Sequence, residues 1–303
     1  MSRPNTEALS RLPWRDPGGE RPDLPLPPEG MPLRSAGGWR KRWRWVGAFG
    51  EEIMLCAGSV QVGALGQSFW AILDRETGEL IEHTRMQLPS ARGEVWSELG
   101  GGSWELGSDA AGAVTRIESG EIRAKLEIGE GTWAESICPN GEGAYVWTRK
   151  RVSPIACDLR LPGGRRIKAE LRGVEDESAG YHRRHTVWSW SAGVGVATDG
   201  RAVGWNLVEG VNDPPANSER TIWVEGEELP REPSPVSFDG LEAIGFEGGS
   251  RLDFSAEAER AKSENKLVVR YSYRQPFGTF TGSLDGIELA QGLGVMESHD
   301  AVW

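Results

Sequence analysis

Apolar and polar residues alternate along much of the chain with a period of two, the pattern of a half-buried β-strand. The clearest case runs from Ile122 to Ile128, where three charged residues separate four apolar ones. Residues 267–273 alternate in the same way. Because successive side chains on a strand point to opposite faces, these segments predict sheets with one buried and one solvated face.

Turn residues separate the strand-like segments at spacings typical of antiparallel hairpins. Residues 252–262 contain no such turn, and we interpret them as one strand in preference to a short helix at 256–262. Every pairing suggested by these turns is antiparallel. The predicted turns lie at 74–78, 162–164, 198–201 and 285–286.

The composition favours an all-β protein with little helix. The 303 residues include 41 Gly, 18 Pro and 14 Trp, and 38% are hydrophobic, which suffices for one large or two ordinary domains. Residues 1–30 are Pro-rich, so we expect an extended tail over the surface. Three cysteines without close spacing predict ordinary thiols, with neither a disulfide framework nor a zinc knuckle.

The charge balance restricts the partners. A formal net charge of −11 argues against nucleic acid, since binding to a phosphate backbone requires a basic surface. No apolar run approaches the roughly 18 residues of a transmembrane segment, and the N-terminal residues do not resemble a signal peptide. We therefore expect a cytoplasmic protein, and we leave open a transient contact with a membrane surface.

Tryptophans and cations alternate between Trp39 and Trp45. As a strand, this segment places Trp43 and Trp45 on one face and Arg42 and Arg44 on the other. We interpret the tryptophan face as core and the basic face as solvated, with an anion-binding patch as the alternative.

Residues 176–219 concentrate aromatic and titratable side chains in a Gly-rich stretch, which is unusual for a plain core. His182 and His185 would reach one metal ion only on a helix or tight turn, and no third ligand lies nearby, so we predict no metal. We expect one of them to hydrogen-bond a carboxylate such as Asp176 or Glu297. Asn212 and Asp213 either border a pocket mouth or only form a turn.

The last strand places Glu297 and His299 side by side on the face that also carries Trp303. Facing inward, the pair would form a tunable acid or base; facing outward, it would be a solvated edge. Arg274 is either an anion clamp or the partner of a nearby carboxylate. No phosphate-binding Gly loop, nucleophile elbow or His-Glu-x-x-His helix is present, which disfavours hydride and phosphoryl transfer, and we predict no cofactor.

Several motifs together resemble the bacterial family of domain of unknown function 2804. More distantly, the chain is similar to the lipocalin-like superfamily of carotenoid 1,2-hydratases, tocopherol cyclases and fungal pericyclases. The motifs are Asp176–His182, His185–Trp190, Gly204–Leu207, Asn217–Arg220, Arg274–Gly278 and Gly294–Trp303.

The resemblance implies two packed lipocalin-like (calycin-type) antiparallel β-barrel or sandwich domains, which we place at 31–180 and 181–303. It also implies a pocket in which a His, a Trp, a Tyr and an Asp protonate a double bond. By type and neighbourhood, the equivalents here are His185, Trp188, Tyr181 and Asp176.

Our hypothesis is a cofactor-free hydratase, cyclase or isomerase acting on a hydrophobic isoprenoid- or lipid-like molecule. The alternatives are a non-catalytic carrier of such a ligand and a carbohydrate-binding β-sandwich. The predicted catalytic residues are Asp176, His185, Glu297 and His299. The predicted ligand-binding residues are Tyr181, His182, Trp188, Trp190, Trp205, Asn206, Arg274, Phe277 and Trp303.

Overall fold

The structure is a computed structural model that describes residues 5–87, 93–100, 102–108, 112–266 and 269–302. Nearly all regular structure is β, which confirms the predicted class. The elements are α1 Thr6–Ser10, β1 Trp14–Arg15, β2 Arg34–Ser35, β3 Gly38–Trp39, β4 Lys41–Phe49, β5 Ile53–Val62, β6 Leu65–Asp74, β7 Glu79–Gln87, β8 Val95–Leu99, β9 Gly102–Ser103, β10 Ala113–Ser119, β11 Ile122–Ile128, β12 Ala134–Pro139, β13 Tyr145–Arg160, β14 Arg166–Gly180, β15 His185–Ala197, β16 Ala202–Glu209, β17 Thr221–Val224, β18 Val236–Asp239, β19 Ala243–Phe246, β20 Arg251–Lys266, β21 Val269–Leu284 and β22 Ile287–Val302.

The strands form two large antiparallel sheets. The first has twelve strands, in the order β7-β6-β5-β4-β14-β13-β11-β10-β8-β9, with β12 on β13 and β1 on β12. The second has eight, in the order β17-β16-β15-β22-β21-β20-β19-β18. Each sheet curls into a half-barrel, as expected for two lipocalin-like domains. The chain leaves the first sheet at Gly180 and enters the second at His185.

The predicted hairpins are confirmed where the sequence contains clear turn residues. The strand predicted at 122–128 coincides with β11. The turn between β21 and β22 contains Asp285 and Gly286, both with positive φ, as a tight hairpin requires. Residues 252–262 lie within β20, so the helix alternative is wrong. Residue 267 lies outside the described residues.

The N-terminal tail covers part of the first sheet and is not simply extended. It contains α1, and β1 pairs with β12. Its apolar side chains pack on Tyr145 and Trp147, because their spacing between prolines lets them face the sheet. The buried tail residues are Ala8, Trp14, Leu24 and Leu26, with Met31 beside them.

The basic face of β4 is solvated at Arg42, as expected, but it is buried at Arg44, which corrects the expectation there. Trp45 lies in the core as predicted, but Arg44 is only 6% exposed. The first sheet curls around this face, and Glu175 and Glu177 on β14 pair with Arg44. A curled sheet encloses both faces of a central strand, whereas the alternation of β4 alone indicated only one core face.

Three apolar layers hold the fold together. One fills the first half-barrel, around Leu55, Trp70 and Leu126. Another fills the second, around Trp205 and Phe280. The third lies between the two sheets. No helix in the described part of the chain is long and apolar enough to span a membrane.

We expect Gly193→Ala to destabilise the protein by about 1–3 kcal/mol, the usual cost of overpacking a tight site. An added Cβ would lie 2.2 Å from Trp205 Cζ2 and 2.7 Å from the Leu293 carbonyl oxygen. Thermal unfolding followed by circular dichroism measures the change. Gly30→Ala is the control, since no atom lies within 4 Å of its Cβ position. Equal melting temperatures for the two variants would contradict the packing described.

Candidate functional site

The apolar layer between the sheets sets the position of the candidate site. Trp45 on β4 meets Trp190 on β15 edge to face, with ring centroids 5.0 Å apart. Phe277 on β21 is fully buried in the same layer. Register places Trp188 opposite His299, so these side chains share the face that carries Trp190.

Glu297 and His299 lie at the partly open edge of this layer. Glu297 Oε1 accepts a hydrogen bond from Trp188 Nε1 at 2.9 Å, and Oε2 accepts one from Gln275 Nε2 at 2.8 Å. His299 Nδ1 lies 3.8 Å from Glu297 Oε1. The imidazole stacks on Trp188 with centroids 4.0 Å apart. The side chain of Glu297 is 12% exposed and that of His299 is 16% exposed, which favours the inward-facing alternative.

Arg260 links this pair to the first sheet. Its Nε donates to Glu82 Oε2 at 2.8 Å, and its Nη1 donates to the Tyr273 hydroxyl at 2.8 Å and to Gln275 Oε1 at 3.4 Å. Burial raises the pKa of Tyr273 well above its ordinary value, so the phenol stays neutral. A continuous set of polar contacts therefore crosses the two sheets. We call its seven residues the interdomain cluster: Glu82, Trp188, Arg260, Tyr273, Gln275, Glu297 and His299.

Sequence reasoning found Trp188, Glu297 and His299 but missed the other members. Tyr273, Gln275 and Phe277 lie two positions apart on β21 and therefore share one face. The period-two pattern could have placed them beside the last strand. Glu82 and Arg260 are 178 residues apart and belong to different sheets. No local signal in the sequence connects them.

A second polar network joins the sheets nearer to β13. Lys150 Nζ lies 2.5 Å from Asp176 Oδ1 and 3.4 Å from Glu219 Oε1, and all three side chains are buried. Burial raises the pKa of Glu219, with the Lys150 charge opposing. Asn206 accepts from Trp190 Nε1 at 2.7 Å and donates to the Glu219 carbonyl at 3.1 Å. The Lys150–Glu219 ion pair thus ties the two sheets together, while Asp176 holds Lys150 from the first sheet and Asn206 holds the Glu219 backbone from the second.

Besides Asp176 and Asn206, four further predicted site residues form their contacts away from the interdomain cluster. His185 is exposed and pairs with Asp300 at 2.8 Å, so it does not bind Asp176 or Glu297 as expected. Tyr181 donates to the Pro32 carbonyl at 2.8 Å beneath the tail. The other two are Trp205, which points to the opposite face of the second sheet, and Arg274, which forms a bidentate pair with Glu259.

Strand register explains the placement of Trp205. Residue 206 pairs with 192, so the even-numbered side chains of β16 share the face of Trp190 and the odd-numbered ones do not. Of the two alternatives for Arg274, the structure shows the pair with a nearby carboxylate, which is Glu259. Asp213 Oδ2 accepts from the Gly210 amide at 2.7 Å, a contact that shapes the turn, whereas Asn212 Nδ2 donates to Glu219 Oε2 at 2.9 Å. Trp303 lies outside the described residues.

His182 is buried where the chain passes between the sheets. Its ring lies 5.1 Å from that of Trp43, and neither ring nitrogen has a hydrogen-bond partner among the described residues. Burial, aided by the nearby Lys41 charge, lowers its pKa to about 3. Burial also lowers the pKa of Lys41 to about 8. The imidazole is therefore neutral and does not bind the expected carboxylates.

Metal ligation finds no support in the described parts of the chain, where no three His, Cys, Asp or Glu side chains are grouped to hold an ion. The three cysteines are buried free thiols. The interdomain cluster offers an imidazole, two carboxylates, a phenol and an indole for chemistry.

Fold and sequence define the class: a two-domain, lipocalin-like β protein. Residues 31–303 match the family described as "Domain of unknown function (DUF2804)", so the chain belongs to this family and the sequence resemblance is confirmed. No curated protein matches the chain.

Solved structures are similar to this chain. A putative AttH from Nitrosomonas europaea is similar at 13% identity with a TM-score of 0.52, covering 90% of this chain and 97% of that one. Kievitone hydratase from Nectria haematococca (10% identity, TM-score 0.48) and CghA (10% identity, TM-score 0.40) each cover 87% of this chain and 88% of their own. At these identities the likeness concerns fold alone.

His182 should make stability depend on pH. Its folded pKa of about 3 lies below its ordinary 6.5, so the unfolded chain binds the proton more readily. The stability is complete above pH 6.5 and falls toward pH 3 by about 1.4 kcal/mol per unit. His182→Phe, which keeps a ring beside Trp43, should flatten this decline. Urea unfolding at several pH values measures it, and an unchanged slope would contradict the burial described.

Lys150→Met should cost about 3–5 kcal/mol, because it leaves two buried carboxylates without their cation. Lys125→Met is the control, since its pair with Glu127 is exposed and contributes little. Urea denaturation gives both values. Similar small losses for both variants would show that the Lys150 network does not tie the sheets together.

Proposed function

We propose that the interdomain cluster performs cofactor-free acid–base chemistry on an apolar, isoprenoid- or lipid-like molecule. The observation that carries the proposal is the position of His299. Its imidazole stacks on Trp188, faces Glu297, and is 16% exposed at the edge of the apolar layer between the sheets. An acid–base group is thereby placed beside aromatic surface.

Glu297 has the features of an orienting carboxylate. Donors from Trp188 and Gln275 fix both of its oxygens, so Oε1 is held facing His299 Nδ1. With a proton on Nδ1 directed at Glu297, the Nε2 atom of a neutral His299 can accept a proton, and the imidazolium can donate one. The 3.8 Å separation is longer than a hydrogen bond, as is common at catalytic pairs without substrate.

The surroundings suit an apolar substrate whose reaction develops positive charge. Trp188, Tyr273 and Phe69 are half-buried and border the polar groups. Their ring faces can bind hydrocarbon and stabilise a carbocation. The one guanidinium of the cluster, Arg260, is paired with Glu82. Addition of water across a double bond, ring closure and double-bond migration all fit this arrangement.

One observation favours a non-catalytic carrier as the second candidate. Each oxygen of Glu297 already accepts from a neutral donor, and the His299 imidazole lies beyond hydrogen-bond distance of Glu297, so both groups could serve only to anchor a polar ligand end. The carbohydrate alternative requires Trp188, Trp190 and Trp205 as exposed platforms. Trp190 and Trp205 are buried, so no such platform exists there.

We expect the protein to bind farnesol or oleic acid and to convert the bound probe. Binding is followed by tryptophan fluorescence, and conversion by mass spectrometry in D₂O, where protonation at carbon leaves deuterium in the product. His299→Ala should lower the conversion rate by about 10²- to 10⁴-fold, the usual contribution of a general acid or base, with little change in Kd.

His185→Ala is the matched control, because that imidazole is exposed and pairs outside the cluster. It should leave conversion and binding unchanged. Binding without conversion by the wild type, combined with weaker binding by His299→Ala, would support the carrier. Failure to bind either probe would contradict both candidates.

A further inference from the structure

The first half-barrel contains a cavity on the opposite side of β4 from the interdomain cluster. Its volume is about 550 Å³, within the range of small-molecule sites. The tail segment 27–31 and the segment 104–106 form part of its wall. Its polar lining includes Arg40, Arg42, Arg44, Ser59, Gln61 and Ser97.

The charges on the cavity floor are paired. Arg44 contacts Glu175 and Glu177, and Arg149 Nη2 lies 3.1 Å from Glu177 Oε2. Glu177 also accepts from Trp104 Nε1 at 2.6 Å. The Arg44 guanidinium lies over the Trp104 ring, 4.4 Å from its centroid. The arginine charges of the floor therefore have carboxylate partners, and the floor holds the Trp104 indole in place.

The charges at the mouth are not paired. Arg42 shares the cavity face of β4 with Arg44, and Arg40, directly before β4, also lines the cavity. Arg40 Nη1 donates to the Met31 carbonyl, and Arg42 Nε donates to Gln61 Oε1. Across the described ranges, neither guanidinium has a carboxylate at ion-pair distance, although the protein carries a net charge of −11.

The two guanidiniums also oppose each other. Partial burial lowers the pKa of Arg42, the Arg40 charge adds to this, and the Glu105 charge opposes it. Glu29, the other acidic residue of the lining, lies 3.9 Å from Arg21. An anion placed between the two guanidiniums would relieve their repulsion and accept from their remaining N–H groups.

We propose that this cavity binds a small aromatic carboxylate, with the carboxylate between Arg40 and Arg42 and the ring near Trp104. The serine hydroxyls and Gln61 provide partners for polar ring substituents. The site is separate from the interdomain cluster, since none of the seven residues of that cluster is among those that line the cavity.

The test uses 4-hydroxybenzoate and its neutral analogue 4-hydroxybenzamide, titrated into the full-length protein at low salt by calorimetry. We expect 4-hydroxybenzoate to bind at least about tenfold more tightly than the amide, because a charge-assisted bidentate contact is lost in the amide. Arg42→Gln and Arg40→Gln should each remove most of this difference. Added NaCl should weaken binding of the acid more than that of the amide.

Arg274→Gln is the matched control, since its guanidinium is exposed and paired with Glu259 far from the cavity. It should bind 4-hydroxybenzoate as the wild type does, and so should His299→Ala, which separates this proposal from the proposed function. Equal binding of acid and amide, no binding of either, or an unaffected Arg42→Gln and Arg40→Gln pair would overturn the proposal. Equally tight binding of inorganic phosphate would reduce the site to a simple anion patch.

Discussion

The contact between Trp45 and Trp190 is the interaction on which the rest of the structure depends. The two indoles meet edge to face at the centre of the layer between the sheets. Such pairs stabilise by about 0.5–1.5 kcal/mol beyond the area they bury. Glycines make room for it: a Cβ at Gly47 would lie 2.2 Å from Trp45 Cη2, and one at Gly204 would lie 2.5 Å from Val152. Bulky side chains lie next to glycines, which have no side chain, and the sheets can therefore approach closely.

Polar networks on either side of this contact fix how the sheets are aligned. Lys150, Asp176 and Glu219 lie on one side, and Arg260 with Glu82 on the other. Buried charges contribute little net stability, but each is costly when its partner is missing. Sliding one sheet over the other would break both networks. The same alignment brings Arg260 and Gln275, which belong to the same cluster as Glu297 and His299, against Glu82 and Cys56 of the first sheet, so packing and the proposed chemistry share one cause.

Much of the fold follows from local sequence, because alternation and turn residues act over a few positions. The strand at 122–128 and the hairpin at Asp285 and Gly286 are predicted for this reason. Glu297, His299 and Trp188 could be assigned to one site because strand geometry alone places the first two on one face. To predict the position of Trp205, the register of the preceding hairpin must be known. To predict the burial of Arg44, the curl of the whole sheet must be known. Neither feature can be predicted from a few neighbouring residues.

A double-mutant cycle at Trp45 and Trp190 tests the central claim most directly. The free energies of unfolding of Trp45→Leu, Trp190→Leu and the double variant would be measured in urea. Direct contact across the sheets predicts a coupling energy of about 1 kcal/mol between the two positions. Additive effects would show that the two indoles do not meet, and that the sheets do not form the joint face on which the interdomain cluster is built.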